Sequence, residues 1–426
     1  MTVNIALLGF GTVASGVPFL LKENGEKITA ATGTDIQISK VLVRDDAEKS
    51  TLLAQGHDYQ FVTSIADILT DASIDIVVEL MGRIEPAKTF ITQALQAHKH
   101  VVTANKDLLA IHGAELLKVA ADNGVALYYE AAVAGGIPIL RTLANAYNAD
   151  KITKILGVVN GTSNFMMTKM VDEGWTYDQA LAEASRLGYA ESDPTNDVDG
   201  IDAAYKMVLL SQFAFGMTID FEKVRHEGIR KITPEDVKLA QKLGFVIKLV
   251  GEIVERESGI YAEVVPTFLP QHHQLAKVNG VMNAVFVESI GIGEAMFYGP
   301  GAGQKPTATS VVSDLIALAM SVAEHYPAPP FNTFVRETVY AQKEDLLDKY
   351  YFAIETEDKT GQLLRLAELF DAEQVSFEQV FQESIGENRA SIAIISHRMD
   401  LNQFDSLVEQ ISALDGFKLR NTIKVI

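Results

Sequence analysis

Residues 4–16, "NIALLGFGTVASG", run from an apolar segment into a loop with Gly9, Gly11 and, at the third small position, Ala14. A strand that breaks into such a loop and then into a helical pattern lets main-chain N–H groups and a helix N-terminus meet a pyrophosphate. A tight strand-to-helix turn with no ligand has the same spelling. Pro18 resists the helical reading, because a proline in a helix interior costs about 3 kcal/mol or forces a kink.

The flanking sequence tips the balance. Up to about residue 150, the β-rich runs "IALLGF", "QISKVLVR", "DIVVELMG", "HVVTANK" and "VALYYEAAV" alternate with helical ones such as "PAKTFITQALQAHK" and "GAELLKVAADNG". This alternation predicts a doubly wound parallel sheet covered on both faces, the setting of a dinucleotide-binding loop. Between 150 and 300 the rhythm breaks. A long helical segment, "DAAYKMVLLSQFAFG", and the β-rich "GIYAEVVPTFL" and "AVFVESIGIGEAMF" predict an inserted α+β substrate domain with an antiparallel sheet. The glycine-rich "YGPGAGQKPTATS" leads into a helix expected to pack back on the first domain, and "PAPPF" at 327–331 reads as a linker. From 350 the order is strand, helix, strand, strand, helix, strand, a compact βαββαβ unit.

With 426 residues and 48% hydrophobic side chains the chain can bury two or three cores. Its formal charge of −20 argues against nucleic acid or an anionic membrane as a partner, so any phosphate site must be local. The absence of cysteine removes disulfides, thiolate metal sites and sulfur nucleophiles. No leader pattern opens the sequence and no apolar run approaches the roughly 18 residues of a membrane span, so the expected compartment is the cytoplasm.

The second strand ends at Arg44, where NAD sites commonly carry an acid for the ribose 2′-OH; a cation there, with Lys49 nearby, suits a 2′-phosphate. Asp45 and Asp46 keep NAD open, and a solvated arginine is the plain alternative. Lys106 closes "HVVTANK" at the carboxyl end of a strand, where open α/β sheets place ligands and where surface lysines are also common. "GYAESDPTNDVDGIDAAYK" gathers Glu191, Asp193, Asp197, Asp199, Asp202 and Lys206, with Asp202 and Lys206 at i,i+4 spacing. The plain reading is an acidic helix start with a surface ion pair. The chemical one is a carboxylate cluster for an ammonium beside a lysine that moves a proton. Glu130, before the glycine-bent "AAVAGGIPI", offers one carboxylate and backbone oxygens to a hard cation, or is simply a strand end. His272 and His273 read as surface residues.

The ordered stretches "GFGTVASGV", "VVELMG", "VVTANK", "YEAAVAGGIPI", "NGTSNF", "GYAESDPTNDVDGIDAAYK" and "GPGAG", from residue 5 to about 315, resemble homoserine dehydrogenases, and 350–426 resembles an ACT regulatory domain. The resemblance implies a Rossmann-like NAD(P)-binding domain over 1–135 plus about 300–330, a substrate-binding and dimerisation domain over 136–300, and the ACT domain over 350–426. It implies interconversion of L-homoserine and L-aspartate 4-semialdehyde with NADP or NAD, on the route to threonine, methionine and isoleucine, by a homodimer or homotetramer. By motif, Gly9, Phe10, Gly11, Thr12 and Val13 form the cofactor loop and Arg44 meets the 2′-phosphate. Gly188 and Gly303 approach the cofactor, and Glu191 and Asp202 hold the substrate with Asp197 in support. Lys106 and Lys206 flank the reacting carbon, and Glu130 with the main-chain oxygens of Val133, Gly135 and Ile137 holds sodium. The turn Asp358–Gly361 resembles the loop near which ACT domains hold an amino acid, which makes threonine the expected effector.

Ala14 in place of a third glycine, Arg83 where the family has glycine, and Gln304-Lys305 where small residues are common depart from the pattern. The expected chemistry is hydride transfer with proton transfer by lysine. Lys106 and desolvation are expected to depress Lys206, and Asp202 to oppose them. An acyl-phosphate-forming semialdehyde dehydrogenase would need a cysteine, and a nucleotide-sensing regulator would leave the acid cluster and Lys206 without a task. Because the chemical motifs precede residue 315, few contacts are expected between the C-terminal unit and the rest, and its removal is expected to spare turnover.

Overall fold

The computed structural model describes residues 2–386 and 388–426. Strands β1 (Thr2–Leu8), β2 (Asp35–Leu42), β3 (Gln60–Val62), β4 (Ile76–Glu79), β5 (His100–Thr103) and β6 (Leu127–Tyr128) form a parallel sheet in the order β3-β2-β1-β4-β5-β6. Side chains of β1, β4 and β5 are buried on both faces, so these strands read as continuous apolar runs. The order reverses at β1, which opens a crevice between the carboxyl ends of β1 and β4 next to the glycine loop.

Pro18 causes no break, since the helix it belongs to spans Gly16–Glu23 and the proline sits in the first turn, where N–H groups have no intrahelical partner. Ala14 is fully buried, but the close helix packing that a third glycine of such a loop allows is made here by Gly16. A β-carbon on Gly16 would lie 2.9 Å from Ala308 Cβ and 2.9 Å from the Gln304 carbonyl oxygen. Both belong to the helix Gln304–Ala323, which packs back on the first domain as expected. By length and composition that helix could cross a membrane, yet 56% of its apolar window is buried inside the protein.

The second sheet is built from β7 (Ile152–Val158), β8 (Arg225–His226), β9 (Phe245–Arg256), β10 (Gly259–Pro270), β11 (Met282–Ser289), β12 (Gly293–Pro300), β13 (Lys349–Glu357), β14 (Phe377–Ser384), β15 (Arg389–Ser396) and β16 (Phe417–Val425). Its order is β12-β11-β7-β9-β10-β16-β13-β15-β14, with β8 beside β10. The helices Gln362–Ala372 and Leu401–Ala413 complete the βαββαβ order of the C-terminal unit around Phe352, Phe370 and Phe404. One expectation fails here. The C-terminal unit is not joined by a bare linker, because β16 pairs in parallel with β10 at Thr267–Lys424 and Phe268–Val425. At that seam the buried Lys424 ammonium meets Glu252, Glu263 at 2.6 Å and Asp348 at 2.8 Å. His273 also departs from a surface reading: its ring packs on Phe286 and its Nδ1 accepts the Leu275 N–H.

The helix Ile201–Phe215 lies almost wholly buried against this sheet. Gly157 and Gly251 are paired across β7 and β9, and a β-carbon on Gly251 would come within 2.6 Å of Met207 Sδ. The bare strands thus let the helix approach closely, and the residue before Met207 is Lys206.

Candidate active site

A cavity of about 550 Å³ lies between the two sheets. The first domain contributes Val13 of the glycine loop and Lys106, which opens the helix Lys106–Asp122 at the carboxyl end of β5. The second contributes Asn160, Gly188, Asp197, Asp202 and Lys206, and the segment leading out of β12 contributes Gly301 and Gly303.

Asp202 is the hub of this cavity. Lys206 Nζ donates to its Oδ2 at 2.7 Å and to the Val159 carbonyl at 2.6 Å, while Lys106 Nζ lies 3.2 Å from its Oδ1. The Asn160 amide donates to Asp202 Oδ2 at 2.8 Å and to Asp197 Oδ1 at 2.7 Å. Burial alone would raise the Asp202 carboxyl, but Lys206 and Lys106 overcome it and hold it well below the usual carboxylate range. Burial alone would lower Lys106, yet Asp202 and Asp107 hold it above the ordinary lysine value. Asp197 is raised, because burial outweighs its bond from Asn160. The sequence reading sets Lys106 directly against Lys206; the structure instead places the Asp202 carboxylate on both, with Oδ2 on Lys206 and Oδ1 toward Lys106.

Of the clustered acids, Asp197 and Asp202 reach the cavity. Asp199 pairs with Arg230, Asp193 accepts the Thr195 N–H, and Glu191 is exposed outside the cavity wall. Gly9, Phe10, Gly11 and Thr12 do not line the cavity, and the Phe10 ring packs among His57, Tyr59 and Phe61, so what it can offer a cofactor is main chain. Arg44 is 80% exposed, its Nε 3.7 Å from Glu48 Oε2. Asp45, which kept NAD open, caps the helix Asp46–Ala54 by accepting the Glu48 N–H. Arg83 takes the left-handed conformation at φ 62°, which explains why glycine suits that position. Gln304 donates to Ser15 Oγ at 2.7 Å and Lys305 lies over the Phe19 ring, so both tie helix to helix.

Glu130 is buried, and its carboxylate accepts the N–H groups of Leu140 (2.9 Å) and Arg141 (2.7 Å). Its own N–H donates to Asp314, which also pairs with Arg141. Burial pushes Asp314 up to about 7 against the pull of Arg141, with the Glu130 charge adding to the rise. The Arg141 guanidinium pairs with Asp314, Glu130 takes the Arg141 main-chain N–H, and among the described residues Arg141 Nε is buried without a hydrogen-bond partner. Burial raises Glu130 as well, so a nearby cation would favour its charged form, and an oxygen donor of this kind suits a hard monovalent ion. Sequence reading missed Asn160, Arg141 and Asp314. Asn160 had a signal, an asparagine before a helical run, and it does cap the helix Gly161–Glu173. Asp314 had none, being one polar residue on an apolar helix.

A family model described as homoserine dehydrogenase matches residues 138–316, and one described as the homoserine dehydrogenase NAD binding domain matches 9–130. A homoserine dehydrogenase of Lactococcus lactis is 58% identical over 100% of both chains. One of Bacillus subtilis is 40% identical over 97% of this chain and 95% of its own. The crystal structure of a homoserine dehydrogenase from Thiobacillus denitrificans is similar with a TM-score of 0.94 and 37% identity, covering 100% of this chain and 98% of that one. A hyperthermophilic archaeal homoserine dehydrogenase in complex with NADPH is similar with a TM-score of 0.63 and 29% identity, over 77% of this chain and 99% of that one.

Proposed function

The chain belongs to the homoserine dehydrogenase family of NAD(P)-dependent oxidoreductases, and from that premise we propose that Lys206 moves the proton when L-homoserine and L-aspartate 4-semialdehyde interconvert. The observation that carries this is the fixed Lys206 ammonium, anchored to Asp202 and the Val159 carbonyl at the cavity wall. Those two acceptors take two of its hydrogens, and the remaining position is open to a substrate oxygen. In oxidation Lys206, entered as the neutral amine, accepts the hydroxyl proton; in reduction it returns one. NAD(P), when bound, supplies the hydride acceptor or donor. Lys106 adds positive charge beside the reacting oxygen, and Asp202 holds both lysines in register. Glu191 and Asp202 are assigned to the substrate with Asp197 in support; of the three, Asp197 and Asp202 line the cavity.

The loop Gly9–Val13 receives the pyrophosphate, Gly188 and Gly303 border the nicotinamide half, and Arg44 reads the 2′-phosphate, which makes NADP the preferred cofactor. The NADPH bound to the archaeal relative supports this preference. Glu130 with the main-chain oxygens of Val133, Gly135 and Ile137 would hold a sodium ion and so brace the wall that carries Gly135. The C-terminal unit is read as an ACT domain that takes threonine, in a cytoplasmic homodimer or homotetramer, with domains bounded at about 1–135 plus 300–330, 136–300 and 350–426. Reduction of NADP and of NAD by L-homoserine, followed at 340 nm, tests the reading: turnover with NADP favoured supports it, and no homoserine-dependent reduction of either cofactor contradicts it.

A further inference from the structure

Glu79 ends β4 with no exposed surface, and none of the roles above uses it. Its Oε1 accepts the N–H groups of Met81 (2.7 Å) and Gly82 (3.1 Å), and its Oε2 accepts the Thr103 hydroxyl (2.6 Å). From this carboxylate two chains of contact lead to functional elements. Met81 forms the surface on which Gly9 rests: Gly9 has φ 87°, and a β-carbon there would lie 3.1 Å from Met81 Cγ. In the other direction Thr103 Oγ1 accepts the Asn105 N–H at 3.0 Å. Asn105 Oδ1 caps the helix that opens at Lys106 by accepting the Leu108 N–H at 3.2 Å, and the Asn105 amide donates to the Arg83 carbonyl at 2.6 Å. Glu79 and Thr103 are register partners on β4 and β5, so the sheet itself sets this meeting.

We propose that Glu79 is a positioning residue with two arms, one seating the glycine loop through Met81 and Gly82, the other setting Lys106 through Thr103 and Asn105. The inference rests on the cofactor and Lys106 roles assigned above. A buried carboxylate suits the task because it accepts from several donors at once, and an unpaired buried donor costs more than the bond it lost.

Three variants of the full chain separate the arms. Glu79→Leu keeps most of the volume but leaves the Met81 and Gly82 N–H groups, and the Thr103 hydroxyl, without their acceptor. Its dissociation constant for NADPH, read by fluorescence titration without turnover, is expected to rise about tenfold while the KM for homoserine stays within about twofold. Thr103→Val leaves the Met81 and Gly82 bonds in place, so NADPH affinity should hold within about twofold while kcat falls about tenfold; Thr103→Ser, which restores the hydroxyl, should recover kcat. The inference is overturned if Glu79→Leu binds NADPH as the parent does, if Thr103→Val loses cofactor affinity as Glu79→Leu does, or if Thr103→Ser fails to rescue. Should Glu79→Leu not fold, as judged by circular dichroism, the Thr103 pair still decides the Lys106 arm and the arms' separation. Homoserine oxidation by the parent is run alongside: its absence would sink the functional reading, while the NADPH titration would still judge Glu79.

Discussion

The molecule contains two charge clusters that are inverses of each other. At the cavity one carboxylate, Asp202, stands between two lysines, Lys106 and Lys206. At the seam between β10 and β16 one lysine, Lys424, stands among Glu252, Glu263 and Asp348, with Lys154 and Arg225 completing the charge balance. Both are buried, and in each the opposite charges overcome burial: Asp202 is held down and Lys106 up at the cavity, Glu252 down and Lys424 up at the seam. What separates them is access. Lys106, Asp202 and Lys206 line the cavity, whereas Lys424, no less buried, lies away from it against Glu252, Glu263 and Asp348. A perturbed ionisable group therefore marks a functional site only where a reactant can reach it.

The comparison breaks most visibly at the seam. Lys424→Met leaves Lys154 and Arg225 to balance Glu252, Glu263 and Asp348 and is expected to cost about 3–5 kcal/mol, read as a lower urea midpoint, with turnover per folded molecule retained. Loss of turnover with unchanged stability would show that the seam cluster takes part in the chemistry. Removal of 350–426 should likewise destabilise, since it strips β16 from β10 and Lys424 from two glutamates. That reverses the expectation of a freely separable unit.

The cavity cluster has its own acid signature. The folded-state carboxyl of Asp202 is depressed, so the stability it contributes is fully present above the ordinary carboxylate value of about 4 and is lost as pH falls below it. Asp202→Asn should remove that contribution and flatten the acid-unfolding curve below about pH 4, leaving its shape between pH 6 and 8, roughly, unchanged. A change confined to neutral pH would contradict the assignment. On the cofactor side, Arg44→Ala should raise the KM for NADP about tenfold and leave that for NAD nearly untouched, because only NADP carries the extra phosphate. Equal effects on both would mean that Arg44 does not read the 2′ position.

Much of this was legible in residues 1–150, where alternation spelled the parallel sheet, although β3 was missed because Gln60–Val62 is three residues long. The pairing of β10 with β16 was not legible. It joins Thr267 to Lys424 across the chain, and no local periodicity encodes which strand end meets which. At the site, Asp202 and Lys206 share a helix face, so their spacing announced them. Their coupling to Lys106 needed the third dimension. Glu79 stood inside the motif "VVELMG" yet reads there as one polar residue ending an apolar strand. Arg83 was visible as a departure, and its φ supplies the reason. Arg83→Gly should stabilise by no more than about 1 kcal/mol, since relief of left-handed strain is partly offset by glycine's greater freedom in the unfolded chain; thermal unfolding measures it.

The most direct test of the account is homoserine-dependent NADP reduction by Lys206→Met beside Lys424→Met, each normalised to folded protein and to measured NADPH binding. The account predicts that Lys206→Met binds cofactor as the parent does yet loses turnover per folded molecule by about 10² or more, while Lys424→Met turns over normally from a less stable fold. Near-normal kcat in Lys206→Met, or equal loss in both variants, would contradict it.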